Sequence, residues 1–254
     1  MNCTLIMFSP TGGTEKAARL LCAGLGPVTK VIDLADPKFA WAEVPAEENG
    51  VAVIAIPAFE GRMPGPAADR LKLVKSSGQP CVVMGVYGNR AYENILKEME
   101  VTAKDCGFRV AAAVVAVAEH SIMHQYASDR PDAVDEANLT EMGKKIAEKL
   151  SQPWEDGSAE IPGAMPEGPA GRIGVVPTAD DSCVSCGLCA RICPVGAIDP
   201  ANLKTGDKEK CITCMRCVAK CPVGARSVPA PMVAKVSEAL KPICSVRKEC
   251  ELYL

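Results

Sequence analysis

Eight of the fourteen cysteines fall between positions 183 and 221, in two runs of the same form. The first, CVSCGLCARICP, carries Cys183, Cys186, Cys189 and Cys193; the second, CITCMRCVAKCP, carries Cys211, Cys214, Cys217 and Cys221. Each reads C-x2-C-x2-C-x3-C-P, each continues as Val-Gly-Ala, and the offset between them is 28 residues. Three thiolates at this step reach three corners of one cubane, and the fourth, set further along and followed by proline, turns toward a neighbouring cluster. The spacing predicts two [4Fe–4S] clusters, one held by Cys183, Cys186, Cys189 and Cys221, the other by Cys211, Cys214, Cys217 and Cys193. The competing chemistry is a pair of structural zinc sites. Zinc takes four tetrahedral ligands, which gives no reason for the third cysteine at the same step, the fourth at x3, or the repeated proline.

A second stretch with chemical character lies near the other end. Ser9, Pro10, Thr11, Gly12, Gly13 and Thr14 follow the apolar run CTLIMF and open a helical pattern. Hydroxyls and backbone N–H groups at a helix start suit a phosphate, and a Ser/Thr/Gly turn is equally a helix cap. The loop has no lysine and is neither G-x-x-x-x-G-K-[ST] nor G-x-G-x-x-G, so nucleotide hydrolysis is not indicated. Two further loops place an aromatic beside a glycine: Pro57-Ala58-Phe59-Glu60-Gly61 and Tyr87-Gly88-Asn89-Arg90-Ala91-Tyr92. Aromatic faces suit a flat ring, and glycine lets backbone approach it closely. Both histidines, His120 and His124, sit in another such loop, where they border a bound ring or serve as ordinary polar loop residues.

These loops need a scaffold, and the hydrophobic pattern supplies one. Apolar runs at 3–8, 29–34, 51–56, 81–88 and 109–118 read as strands, several of them continuous enough to be buried on both faces. Helical patterns fall at 14–25, 65–74, 90–107 and 135–150; the crossover at 35–50 shows none. Alternating strands and helices predict a doubly wound five-stranded parallel sheet, with the loops above at its carboxyl edge, where such folds bind ligands. Cys3, Cys22, Cys81 and Cys106 read as core packing, as do Met99 and Met142. Residues 151–177 hold five prolines and five glycines without periodicity and read as an extended linker lying on a surface. The expected boundaries are an α/β domain at 1–150, a linker at 151–179, a cluster domain at 180–231 and a tail at 232–254, with a helix at 232–240 and no role for Cys244 or Cys250.

Residues 1–150 resemble a flavodoxin through S-x-T-G-x-T at residues 9–14, the P-x-F-x-G loop and the Y-G-N-R-x-Y loop; residues 183–221 resemble bacterial two-cluster ferredoxins. The chain as a whole resembles fusions of a flavodoxin-like domain with an α+β two-cluster ferredoxin domain. That resemblance implies FMN, with its phosphate on the first loop and its ring between Phe59 and either Tyr92 or Tyr87. It places Glu60 or Gly61 near the flavin N5 and adds Ala58, Gly88 and Asn89 to the site. The function it implies is electron transfer between FMN and the clusters, with redox proteins as partners. An FMN-dependent reductase of a small organic substrate, fed by its own clusters, is the alternative; a cavity lined by His120, His124 and Arg62 would favour it.

Bulk properties agree. The 254 residues are 48% hydrophobic and only 4% aromatic, so the core is aliphatic. The net charge of −3 speaks against a nucleic-acid partner. Residues 181–254 alone carry 11 basic and 7 acidic side chains, an excess that clusters bound by four thiolates would offset. No apolar run is long enough for a membrane span, and the absence of a basic leader before the first strand points to the cytoplasm.

Overall fold

The computed structural model describes residues 1–39, 42–46, 49–157, 159–168 and 174–254. Parts of the predicted crossover (40–41, 47–48) and linker (158, 169–173) lie outside them.

Five parallel strands form the heart of the sheet: β1 (Cys3–Met7), β2 (Val28–Asp33), β3 (Val51–Pro57), β4 (Pro80–Tyr87) and β5 (Arg109–Val117). Their order is β2-β1-β3-β4-β5, the flavodoxin-like doubly wound order, whose switch point lies between β1 and β3. The continuous aliphatic runs are buried on both faces because helices cover both. On one side α1 (Gly13–Leu25) and α4 (Ala133–Leu150) pack Ala17, Leu21, Leu139 and Ile146 onto the sheet. On the other, α2 (Gly65–Leu71) and α3 (Ile95–Asp105) bring Leu71, Ile95, Leu96 and Met99. Gly24 and Gly143 meet where α1 crosses α4; a Cβ on Gly24 would lie 2.0 Å from the Thr140 carbonyl oxygen. Cys3, Cys22, Cys81 and Cys106 are buried in this core, as the sequence predicts.

Three features differ from the sequence expectation. The predicted helix at 90–107 begins only at Ile95, because Asn89 and Glu93 adopt left-handed backbone (φ 64° and 45°) and hold residues 89–93 in a loop. The sheet has a sixth strand, β6 (Glu251–Tyr253), which pairs antiparallel with Ala113–Val115 of β5. The tail helix is longer than predicted and runs as α7 (Ala230–Cys244). In addition, Val44–Pro45 and Val74–Lys75 form a two-residue parallel ladder beside the main sheet.

The linker follows the body of the α/β domain. Trp154 stacks on Arg109, Asp156 accepts the Val110 N–H at 2.9 Å, and Ala159 and Ile161 join the α2/α3 side of the core. In the cysteine segment the 28-residue repeat is visible in the backbone. Ser185 and Thr213 share a left-handed φ of 53°, and two one-turn helices, α5 (Leu188–Arg191) and α6 (Arg216–Ala219), follow them. A two-residue antiparallel ladder joins Thr178–Ala179 to Arg226–Ser227.

Candidate functional site

The three loops and the histidine loop converge at the carboxyl edge of the sheet around a cavity of about 500 Å³. In the first loop, Ser9 is a cap: its Oγ accepts the Glu15 N–H at 2.9 Å, inside the first turn of α1. Gly12 is left-handed (φ 102°) and turns the chain into the helix. Pro10, Thr11, Gly13 and Thr14 line the cavity. Ser9 and Gly12 thus shape the turn into the helix, while Thr11 and Thr14 take part in the cavity wall.

Phe59 and Arg62 exchange backbone hydrogen bonds at 3.0 and 3.1 Å around Glu60 and Gly61, both left-handed. Gly61 is needed there, since a Cβ would strike the Glu93 carboxylate at 2.1 Å. This tight turn sets Ala58, Phe59 and Glu60 in the cavity wall, with Gly61 behind them.

The third loop divides its residues between cavity and tail. Tyr87 and Gly88 line the cavity, and Gly88 leaves room for His120, whose Cα, Cβ and Cδ2 would all stand 2.9 Å from an added Cβ. Tyr92 does not reach the wall. It meets Tyr87 edge-on at 5.7 Å, and its hydroxyl bonds Tyr253 (2.9 Å) and Glu251 (3.1 Å). Of the two tyrosines, Tyr87 is therefore the wall aromatic and Tyr92 its support. Asn89 also departs from the expected flavin role, because its side chain is spent on the tail. Nδ2 donates to the carbonyls of Cys244 (2.7 Å) and Val246 (2.8 Å), and Oδ1 accepts the Lys248 N–H (3.2 Å).

His120 lines the cavity, whereas His124 is exposed and bonded to Glu119 at 2.6 Å. The His120 Nδ1 accepts the N–H groups of Ile122 and Met123, both at 3.2 Å, so a ring proton resides on Nε2. Burial holds this imidazole neutral, pulling its pKa down to about 4. Arg62 pairs with Glu98 at 3.0 Å and is not in the wall.

Four residues of the cavity come from segments the sequence did not assign to it: Val236 and Leu240 of α7, and Thr213 and Cys214 of the cysteine segment. The tail is fastened over this edge by Asn89, by Arg130 donating to the Lys248 carbonyl (2.7 Å) and by Arg247 paired with Asp132 (2.7 Å). Arg130 is itself buried against Asp135, Nε to Oδ2 at 2.8 Å. Cys244 and Cys250 are buried in this packing. The cysteine segment is latched by Arg70, which donates to the carbonyls of Leu34 (2.5 Å) and Asp36 (3.1 Å) on one side and Pro194 (2.6 Å) on the other.

The eight repeat cysteines form no disulfide and line two separate cavities. Cys183, Cys186, Cys189 and Cys221 face the outer one; Cys193, Cys211, Cys214 and Cys217 face the inner one. These are the two sets that the spacing predicts. Backbone N–H groups already point at the sulfurs, from Ala197 to Cys193 (3.2 Å) and from Thr213 to Cys211 (3.4 Å). The buried Nε groups of Arg216 and Arg226, both beside the inner cavity, have no hydrogen-bond partner. Burial pushes the free Cys214 thiol up to about 12, a penalty that metal coordination removes by taking the thiolate directly. Unengaged donors around four cysteines lining one cavity are chemically suited to an iron–sulfur cluster, whose sulfurs accept such hydrogen bonds.

Residues 182–225 match the family model described as a 4Fe-4S dicluster domain. No curated protein sequence matches the chain. Among solved structures, the chain is similar to a flavodoxin from the domain Archaea (15% identity, 60% of this chain and all of that one, TM-score 0.39). It is similar also to a flavodoxin of Streptococcus pneumoniae (18% identity, 59% and 98%, TM-score 0.39). A third is the flavodiiron core of Flv1 from Synechocystis sp. (19% identity, 59% of this chain, TM-score 0.40), of whose length this chain spans 36%. The chain joins a flavodoxin-like α/β fold, recognised by its strand order, to an iron–sulfur segment of the 4Fe-4S dicluster type.

Proposed function

We propose that the protein carries electrons between FMN, held in the large cavity, and two [4Fe–4S] clusters, the inner of which adjoins the flavin. One observation carries the reading: Cys214 lines both the large cavity and the inner cysteine cavity. Bound FMN supplies one- or two-electron chemistry, and each cluster supplies one-electron chemistry. The chain's own residues do the placing. Thr11, Gly13 and Thr14 offer hydroxyls and N–H groups to the phosphate, and Phe59 and Tyr87 offer aromatic surface to the ring. His120 holds a neutral Nε2–H at the wall, and Val236 and Leu240 of α7 border the same edge with Thr213. Arg70 fixes the cluster segment against the α/β domain.

The same reading gives the organisation as an FMN domain at 1–150, a linker at 151–179, a cluster domain at 180–231 and a closing tail at 232–254. It implies redox proteins as partners and a reducing, cytoplasmic setting; among the described residues no helix is long and apolar enough to cross a membrane. The reductase alternative wanted His120, His124 and Arg62 around the flavin. Two of the three are paired elsewhere, and the cavity is bordered by the cluster segment instead.

Anaerobic purification followed by iron, sulfide and flavin analysis tests the proposal. About eight irons and about one FMN per chain are expected. Zinc in place of iron, or a chain without flavin, would overturn it.

A further inference from the structure

The two copies of the cysteine repeat diverge at one buried position. After Cys-Pro-Val-Gly-Ala the first copy has Ile198 and the second has Arg226, 6% and 3% exposed. Ile198 lines the inner cavity alone, whereas Arg226 lines both. Two carbonyls fix its guanidinium, Leu203 (2.5 Å from Nη1) and Pro177 (2.7 Å from Nη2). From that position Nη1 lies 3.7 Å from Sγ of Cys189, an outer-cavity sulfur. The same side chain shares the lining of the inner cavity with Cys217 and the other three cysteines of that set. Its Nε is buried and makes no hydrogen bond.

The partners of Arg226 among the described residues are carbonyls and a sulfur, with no carboxylate. A guanidinium taken out of water needs an anion to offset it. Thiolate-bound clusters in the two cavities are anions of that kind, one on each side of the same cation. A cation and N–H donors at the sulfurs favour the reduced, more negative state of a cluster.

We propose that Arg226 is a shared positioning residue: one buried guanidinium, set between the two cysteine cavities, lies beside both clusters and raises both reduction potentials together. The inference rests on the two-cluster reading above and adds what links the two sites.

The test is a potentiometric titration of the full-length, cluster-loaded protein, followed by electron paramagnetic resonance. Wild type is compared with Arg226→Ile, which copies the other repeat, and with Arg226→Lys, which keeps the charge on a single head. Iron and sulfide are counted in all three. The expected result is a negative shift of both midpoint potentials in Arg226→Ile, a smaller one in Arg226→Lys, and unchanged iron in at least the lysine variant. Unmoved potentials, or a shift confined to one cluster, overturn the inference, as does loss of iron from both variants, which would mark a purely structural role. A wild-type chain that binds zinc overturns the cluster reading itself; a wild-type chain with its full iron whose variants keep their potentials overturns only the role of Arg226.

Discussion

Cys186 and Cys214 occupy the same position in the two copies of one repeat. Cys186 is exposed, beside Val184 and Val223, which are themselves 62% and 46% exposed. Cys214 opens instead onto the cavity that Thr11, Phe59 and Tyr87 share. The ligand pattern is symmetric, and what packs against it is not. The difference arises outside the repeat, from Arg70 gripping Pro194 and from α7 closing the same edge. A symmetric motif thus acquires a direction, with one set of cysteines facing solvent and the other facing the large cavity of the α/β domain.

The strongest way to break this comparison is to remove one ligand from each side. Cys186→Ala and Cys214→Ala should each cost about four of about eight irons. Only Cys214→Ala should also abolish flavin reduction through the clusters, followed by time-resolved absorbance. Flavin reduction retained in Cys214→Ala would mean that the inner site does not lie on the path to the flavin.

The next effect concerns the cover on the inner side. Asp135 is buried and holds Arg130, which in turn holds the tail. Asp135→Asn should lower unfolding free energy by about 3–5 kcal/mol, because it leaves the buried guanidinium uncompensated. A urea titration measures it, and a loss well under 1 kcal/mol would show that the clamp is not what secures the tail.

A smaller change should separate flavin from clusters altogether. Thr11→Val with Thr14→Val removes two hydroxyls from the cavity wall and should weaken FMN binding by about 10–100-fold, at about 1 kcal/mol per hydrogen bond, while iron content stays constant. Fluorescence titration of released flavin reports the first, iron analysis the second. Unchanged affinity would place the phosphate elsewhere.

The smallest effect is a pH dependence. His120 has a folded pKa of about 4, below its ordinary value near 6.5. Between these values the unfolded chain binds the proton and the folded chain does not, so stability rises with pH across the window and falls as acid is added. His120→Gln should flatten stability between about pH 4 and 6.5. A persistent slope would assign it to other groups.

Much of this arrangement was legible in residue order. The partition of the cysteines into two crossed sets follows from spacing alone, since the x3 step and proline send Cys193 and Cys221 away from their neighbours. β1, β3, β4 and β5 were legible because each is a largely apolar run bounded by turn residues; β2, VTKVID, carries the weaker pattern of an edge strand. The tail was not. β6 is three residues, Glu251–Tyr253, too short to show a period. Asn89 looked like a flavin-loop residue because nothing local reveals that its amide is claimed by carbonyls more than 150 positions away. The start of α3 was misplaced for a related reason: the left-handed backbone of Glu93, where Gly61 packs against its side chain, is imposed by tertiary contact. That Cys214 would border the flavin cavity depends on how two segments dock, which spacing does not encode.

The pairing of β6 with β5 also bears on how the chain is assembled during synthesis. β5 leaves the ribosome before the cysteine segment, and β6 after it. Until then β5 is an open edge, the kind of strand that pairs with a wrong neighbour. Domains tend to fold in the order they are made, yet this sheet receives its final strand only after the iron-binding segment has emerged. Completion of the sheet, anchoring of Tyr92 by Tyr253 and packing of the tail beside the large cavity are therefore deferred to one late event. A chaperone or an iron–sulfur delivery factor acting on the nascent chain would meet the cysteines while the α/β domain still has an unpaired edge.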